Sequence, residues 1–451
     1  MLSMSAITRD GDLLFPQNLG ETMKPLPLTT VFAFLLLSAP SWAQRERCGT
    51  PQPDFSSVST NPPSDCGYFT NSPQPEYEPT FFYDIPVVFH VIQNNGGNGY
   101  LSEATIRDQI DVLNEDFQAL PGSPGAPGTN AKIRFHLATL DPQGNPTNGI
   151  TYTTNNSWYQ DSGNYWDTLA WDTNRYLNIY TNAPPCCYGY VADFPQTGIV
   201  GTNEDRVVLW WEAVGKQATP GWPGNMGRTG THEVGHYLGL YHTFEGGCGS
   251  ASNCYVTGDL ICDTNGQSSP TYGCPGSSSS CGNGDPFHNY MDYSDDVCLW
   301  EFTPEQVNRM RCVLQYWRPD LYQVFSSQEI VRSGSPANPN VLLPGQTNGP
   351  LAGEIWDPVI DHTSFVPNAQ MDALVISFVE VNVFVGAEGT LLCQMPFAHT
   401  FLNPSPGTPF QIPIPNDFGL IGASFCAQGA SMDATNLWNL TNALDCVVGN
   451  Q

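Results

Sequence analysis

Residues 231–242 read THEVGHYLGLYH, and how that stretch is read decides what surrounds it. On a helix, His232 and His236 stand one turn apart on the same face, so both can hold one metal ion. Glu233 lies beside His232 and points to where a water at that metal would sit. Such a carboxylate can take the water's proton as it attacks a carbonyl and later pass it to a leaving amine. Gly239 permits a break with positive φ, after which His242 can swing back as a third ligand. Three neutral imidazoles and one open position is the catalytic form of zinc coordination, whereas a structural zinc fills all four places. With fourteen cysteines in the chain, a structural site would draw on thiolates. An amphipathic helix with satisfied core histidines leaves the offsets of Gly239 and His242 unexplained.

Composition narrows the setting. Of 451 residues, 15 are Lys or Arg and 43 are Asp or Glu, for a net charge of -28. That balance lacks the cationic footprint needed for nucleic acid or an anionic membrane surface. It suits a secreted protein, including one that binds calcium through carboxylates. From Met23 the chain reads MKPLPLTTVFAFLLLSAPSWAQ: a lysine, an apolar core and small residues at its end. This is a signal peptide from Met23 with cleavage after Ala43, preceded at 1–22 by a mis-called start. No other stretch reaches the roughly 18 apolar residues of a membrane span. The even number of cysteines then points to disulfides in an oxidising compartment.

Residues 44–80 form a coil-like lead-in or pro-segment containing Cys48 and Cys66. DIPVVFHVI (84–92) reads as a strand buried on both faces. In residues 102–120, Ser102 is the N-cap and Ile106, Ile110, Leu113 and Phe117 recur at helical spacing. AKIRFHLATL, RYLNIYT and DRVVLWW follow as strands, so a helix is laid across an α/β sheet. Cys248, Cys254, Cys262, Cys274, Cys281 and Cys298 lie in a Gly- and Ser-rich stretch that must be stapled to be ordered. TPEQVNRMRCVLQYW reads as a helix capped by Thr303, with Pro304 at its first position. Residues 323–345 read as a linker and 346–451 as a small β-sandwich, in which Cys426–Cys446 is a candidate bridge.

His232, Glu233, His236, Gly239 and His242 resemble the extended zinc motif of the metzincin metallopeptidases. NYMDY at 289–293 resembles their methionine turn, with Met291 placed under the imidazoles. GDLICDTN, SDDVC, FTPEQVNRMRC, IPVVFHVI and RCGTPQP narrow the resemblance, over about residues 47–320, to the pappalysins, relatives of pregnancy-associated plasma protein-A.

The resemblance implies a metzincin-like α/β (α+β) catalytic domain at 81–322 with a twisted mixed sheet and a zinc-binding helix. A small all-β sandwich of unknown role follows it. The implied activity is a secreted zinc endopeptidase with Glu233 as general base and acid and Tyr293 steadying the oxyanion. Its partner is a protein or peptide substrate in extended conformation, bound antiparallel to an edge strand near RVVLWW or RYLNIY; nucleic acid and membrane insertion are not expected. By matching position, Asp259, the Cys262 carbonyl and Thr264 are calcium ligands. The same resemblance pairs Cys248 with Cys281 and Cys274 with Cys298, and Cys254–Cys262 is a further bridge. Cys48 has two readings, a thiolate that blocks the open zinc position or a partner of Cys66.

Overall fold

The apolar run at the start of the sheet is its axis. In the computed structural model, which describes residues 45–53, 65–216 and 222–450, the strands β1 (Glu46–Cys48) and β2 (Tyr83–Gln93) come first. There follow α1 (Glu103–Phe117), β3 (Ile133–Leu137), β4 (Ile150–Thr154) and two single-turn helices, α2 (Asn156–Tyr159) and α3 (Trp166–Leu169). Next come β5 (Leu177–Asn182), β6 (Cys187–Val191), β7 (Val207–Trp210), α4 (Arg228–Tyr237) and α5 (Pro304–Tyr316). The start at 1–22 and the signal peptide at 23–43 lie outside the described residues.

β2 is buried along almost its whole length, which is why it shows no polar alternation. Its first half pairs in parallel with β3 and its second half with β4, while β5 flanks its other side. The sheet continues β5, β7, β6, β1, and among these pairs only β6–β7 is antiparallel. The fold is therefore a mixed α/β sheet with few helices.

Ser102 caps α1 through the Thr105 amide at 3.2 Å, and Ile106, Ile110, Leu113 and Phe117 bury against the strands. α1 also braces α4. The Gln109 amide donates to the Gly227 carbonyl at 3.0 Å, and a Cβ at Gly230 would stand 2.5 Å from the Gln109 nitrogen. Thr303 and Gln306 close a capping box at the start of α5, as the Thr-Pro-Glu-Gln order predicts.

Beyond α5 the chain is built of strands and single 3-10 turns: β8 (Gln328–Arg332), β9 (Leu342–Leu343), β10 (Ile355–Trp356), β11 (Val359–Ile360), β12 (Met371–Ser377), β13 (Glu380–Phe384), β14 (Thr390–Cys393), β15 (His399–Asn403), β16 (Ile412–Pro413), β17 (Ser424–Met432) and β18 (Trp438–Val447). Five of them make an antiparallel sheet in the order β15, β12, β17, β18, β8. The stretch 323–345, expected as a linker, holds β8 and β9. Its short, half-exposed strand carries too little apolar pattern to be read from sequence, and cross-strand pairing with β18 supplies the order.

Cys426–Cys446 is corrected to Cys393–Cys426. In the β17–β18 ladder Phe425 stands opposite Cys446 and Cys426 opposite Asp445. The two cysteines therefore point to opposite faces of the sheet, and Cys446 is left as a buried thiol.

The all-β part and the first sheet share one compact unit. Arg134 of β3 holds Asp84 of β2 through two nitrogens, at 2.5 and 3.0 Å, and reaches Asn416 at 2.5 Å. The Asn450 side chain donates to the same Asp84, and its backbone carbonyl accepts from Phe82 at 3.2 Å. Asn450 is thus tied to the central strand of the first sheet. No helix among the described residues is long and apolar enough to cross a membrane.

Candidate active site

Helix α4 is set at both ends by specific contacts. At its start the Asp296 carboxylate accepts from the Met226 and Arg228 amides at 2.9 and 3.1 Å, serving the unpaired N-terminal donors from a distant residue. At its end Gly239 adopts φ +84°. Its amide bonds the His236 carbonyl at 2.8 Å, and the Leu240 amide bonds that of Gly235 at 3.0 Å. This is the Schellman reversal, and it returns His242 to the helix.

The three imidazoles converge. His236 Nε2 lies 3.1 Å from His232 Nε2 and 3.1 Å from His242 Nε2. His232 Nδ1 donates to the Tyr290 carbonyl and His236 Nδ1 to the Leu240 carbonyl, both at 2.7 Å. A carbonyl only accepts, so the proton of each ring sits on Nδ1 and Nε2 is bare. Burial keeps all three rings neutral: it pushes His242 down to about 3 and the other two well below the usual range, where the neighbouring histidines add to the effect. Bare lone pairs at such separations repel one another unless a cation lies between them. Neutral imidazoles steered by backbone carbonyls are a donor set that fits zinc.

Glu233 is fully buried beside this cluster. Burial raises its pKa to about 8, against the opposing pull of Cys48, Thr50 and Arg47. Its Oε2 accepts from Thr50 Oγ1 at 3.0 Å and from the Cys48 thiol at 3.5 Å, while Oε1 has no hydrogen-bond partner. Gly189 of β6 makes room for it: a Cβ there would stand 2.8 Å from Glu233 Cγ.

Met291 is buried directly beneath the helix, where a Cβ on Gly235 would meet its sulfur at 2.5 Å. Glycine at 235 is what lets the thioether lie flush under the histidines. Tyr293 brings its phenol oxygen to 3.2 Å from His242 Nε2. Burial and the neighbouring Cys48 and Glu233 keep that phenol protonated, so it can donate.

The lead-in lies across the site. β1 pairs in parallel with β6, Glu46 opposite Cys187 and Cys48 opposite Gly189. Cys48 joins His232, His236 and His242 in one cluster whose ligand atoms all lie within 4.8 Å of one another. Thr50 Oγ1 accepts from the Val191 amide at 3.0 Å and the Gly49 amide donates to Gly189 at 2.9 Å. Arg47 forms a buried ion pair with Asp296 at 2.5 Å. The Cys48–Cys66 bridge is overturned: Cys66 pairs with Cys312 of α5, and Cys48 is a buried free thiol. Cys48 lies among the histidines, whereas Cys66 is buried against α5 beside Tyr77 and Val313.

The edge strand also differs from expectation. RYLNIY and RVVLWW supply β5 and β7, both interior, and the strand beside the cleft is β6 from CCYGYV. Its brevity and its glycine hid it, as did the adjacent disulfide Cys186–Cys187.

Cys248–Cys281, Cys254–Cys262 and Cys274–Cys298 are all paired. The first two border a cavity of about 340 Å³ lined by Asp259, Cys262 and Thr264 among others. Asp259 accepts from Thr264 Oγ1 at 2.7 Å and from the Ile261 amide at 3.2 Å. Burial nonetheless raises it to about 7.

Residues 152–315 match the family described as pregnancy-associated plasma protein-A, Peptidase M43. An extracellular metalloprotease of Verticillium alfalfae is 38% identical over 240 residues, spanning 50% of this chain and 74% of that protein. Extracellular metalloprotease 1 of Coccidioides posadasii is 32% identical over 309 residues, spanning 64% and 96%. Among solved structures, Tannerella forsythia mature mirolysin in complex with a cleaved peptide is 36% identical. That match covers 54% of this chain and 100% of that one, with a TM-score of 0.46.

Proposed function

Since the chain belongs to the pregnancy-associated plasma protein-A family of metallopeptidases, we propose that it is a secreted zinc endopeptidase in which Glu233 moves the protons of peptide hydrolysis. The observation that carries this is the convergence of three neutral imidazoles, two of them with a bare Nε2, beside a buried carboxylate and next to strand β6.

His232, His236 and His242 would hold zinc, which when bound polarises the scissile carbonyl and makes water a better nucleophile. The rest falls to the chain's own side chains. Glu233, poised near neutrality by burial, takes the proton of the attacking water and returns it to the leaving nitrogen. Tyr293 donates its phenol proton toward the oxygen on which charge develops. Gly189 O and Val191 N of β6, which the lead-in now uses, offer a substrate strand its backbone partners. Asp259, Thr264 and the Cys262 carbonyl would take calcium, with oxygen donors around a carboxylate that burial alone leaves poorly ionised. The direct test is casein hydrolysis by the purified mature enzyme, lost with a strong zinc chelator and restored by added zinc. Activity that survives complete metal removal ends the proposal.

The lead-in also indicates what the cleft accepts. Arg47 buries a guanidinium against Asp296, and both side chains are almost wholly shielded. Once the lead-in is gone, a basic side chain of the substrate answers that charge. Asp296→Asn keeps an acceptor for the start of α4 and removes the charge. It is expected to lower kcat/KM for arginine-containing peptides by on the order of a hundredfold, with a much smaller effect on neutral ones. An undiminished arginine preference in that variant refutes the assignment.

The lead-in itself we read as a latency segment. It runs parallel to β6, opposite to the direction the family resemblance gives a substrate. Its thiol and arginine fill the places of ligand and side chain without offering a scissile bond in the right sense.

A further inference from the structure

Arg45, two residues before Arg47, carries a second basic group into the same cleft. In an extended segment residues i and i+2 face the same way, about 6.6 Å apart. The Arg45 guanidinium lies over the Trp210 ring at 4.6 Å from its centroid. Trp210 does not stand by itself. Tyr188 of β6 stacks on it with centroids 5.8 Å apart, and Trp222 meets it edge-on at 5.4 Å and Tyr188 edge-on at 5.5 Å. Three rings locked together present a fixed electron-rich face, the geometry that attracts a desolvated cation. Burial lowers the Arg45 guanidinium's pKa, and the charge of Glu212, two residues after Trp210, opposes that effect. Trp210 is 2% exposed with Arg45, Tyr188 and Trp222 all packed on it, so departure of Arg45 would free the ring face that the guanidinium covers.

We infer that Trp210, Tyr188 and Trp222, with Glu212 two residues along the chain from Trp210, form a second cation subsite, which reads a basic side chain two positions along the substrate from the one held by Asp296. The preferred substrate is then a protein segment with basic residues at alternate positions, Arg-Xaa-Arg, rather than one with a single arginine. The inference rests on the peptidase function and the Asp296 pocket proposed above. The alternation works in either chain direction, because strand spacing is the same both ways.

The test uses the mature enzyme and quenched fluorescent decapeptides containing Arg-Ala-Arg, Arg-Ala-Ala, Ala-Ala-Arg or Ala-Ala-Ala. The second arginine is expected to raise kcat/KM about fivefold over the better single-arginine peptide. That gain should fall to about one in Trp210→Leu and shrink in Glu212→Gln. A single-arginine preference with no gain from the second overturns the inference and leaves the Asp296 pocket standing. No preference among the four peptides overturns the pocket itself. Because Trp210→Leu removes a buried ring, a second measurement uses a synthetic peptide of residues 45–53 as a competitive inhibitor of the wild-type enzyme. Arg45→Ala in that peptide is expected to weaken inhibition about fivefold; unchanged inhibition counts against the subsite.

Discussion

Replacing Glu233 with alanine is expected to lower kcat/KM for peptide hydrolysis by about 10³–10⁴-fold while fold and zinc content stay as they are. Both halves of that expectation come from the surroundings of one carboxylate. Activity falls because, among the described residues, no other acidic group faces the Nε2 side of the imidazoles: Asp116 binds Arg228, Thr231 and Tyr290, and Glu245 lies on the far side of His242, facing Nδ1 at 3.8 Å. Zinc stays because the rings are steered by the Tyr290 and Leu240 carbonyls, which the substitution does not touch. Stability is kept because a buried carboxylate with one unpartnered oxygen is a cost to the folded state.

The pH dependence has a definite sign. With its pKa raised to about 8, folded Glu233 keeps a proton that the unfolded chain gives up near pH 4.5. Its contribution to stability therefore declines as pH rises through that window. In the metal-free protein, Glu233→Ala removes this share of the slope, to which the raised Asp259 and Glu245 also contribute. Thermal melts from pH 5 to 8, zinc analysis and peptide kinetics check the three statements together. An alanine variant within tenfold of wild-type activity would sink the mechanism.

The second large effect concerns residues 45–53. A chain that keeps them is expected to be at least about a hundredfold less active than one that has lost them. The segment is an intramolecular ligand held by the β1–β6 ladder, the Arg47–Asp296 pair, Thr50 on Glu233, and Cys48 among the histidines. A short tether gives such a ligand an effective concentration near millimolar, well above what a modest affinity needs to fill the site. Cys48→Ala should release only part of the block, since Arg47 and the ladder persist. Cys48→Ala with Arg47→Ala should release most of it. Activity is read on intact and trimmed chains verified by mass spectrometry, alongside free-thiol titration. Equal activity with and without the segment, or a Cys48 found in a disulfide, would refute latency.

Much of the site was legible because its chemistry is written in local spacing. His232, Glu233 and His236 are fixed by helical periodicity, and Gly239 by the positive φ that its reversal needs. Thr303 and Pro304 start α5 by cap chemistry that acts within four residues. What was not legible depends on partners far along the chain. β6 is five residues long and contains glycine, so it has almost no strand signal of its own; pairing with β7 makes it a strand. Cys66 finds Cys312 across 246 residues, and no spacing rule predicts that. Asp296 reads in sequence as one more acid in an acidic loop, yet it caps α4 and holds Arg47.

The sequence by itself determined the three-histidine helix and its reversal, and its resemblance to the metzincins supplied the methionine turn and the class of reaction. Helix period, glycine freedom and ligand chemistry are properties of a short stretch and its residue types. Only the tertiary structure decided what occupies the cleft, which strand borders it and which acid faces a basic side chain. Those depend on long-range strand pairing and on burial, which turns an ordinary loop carboxylate into a specific partner for one charge.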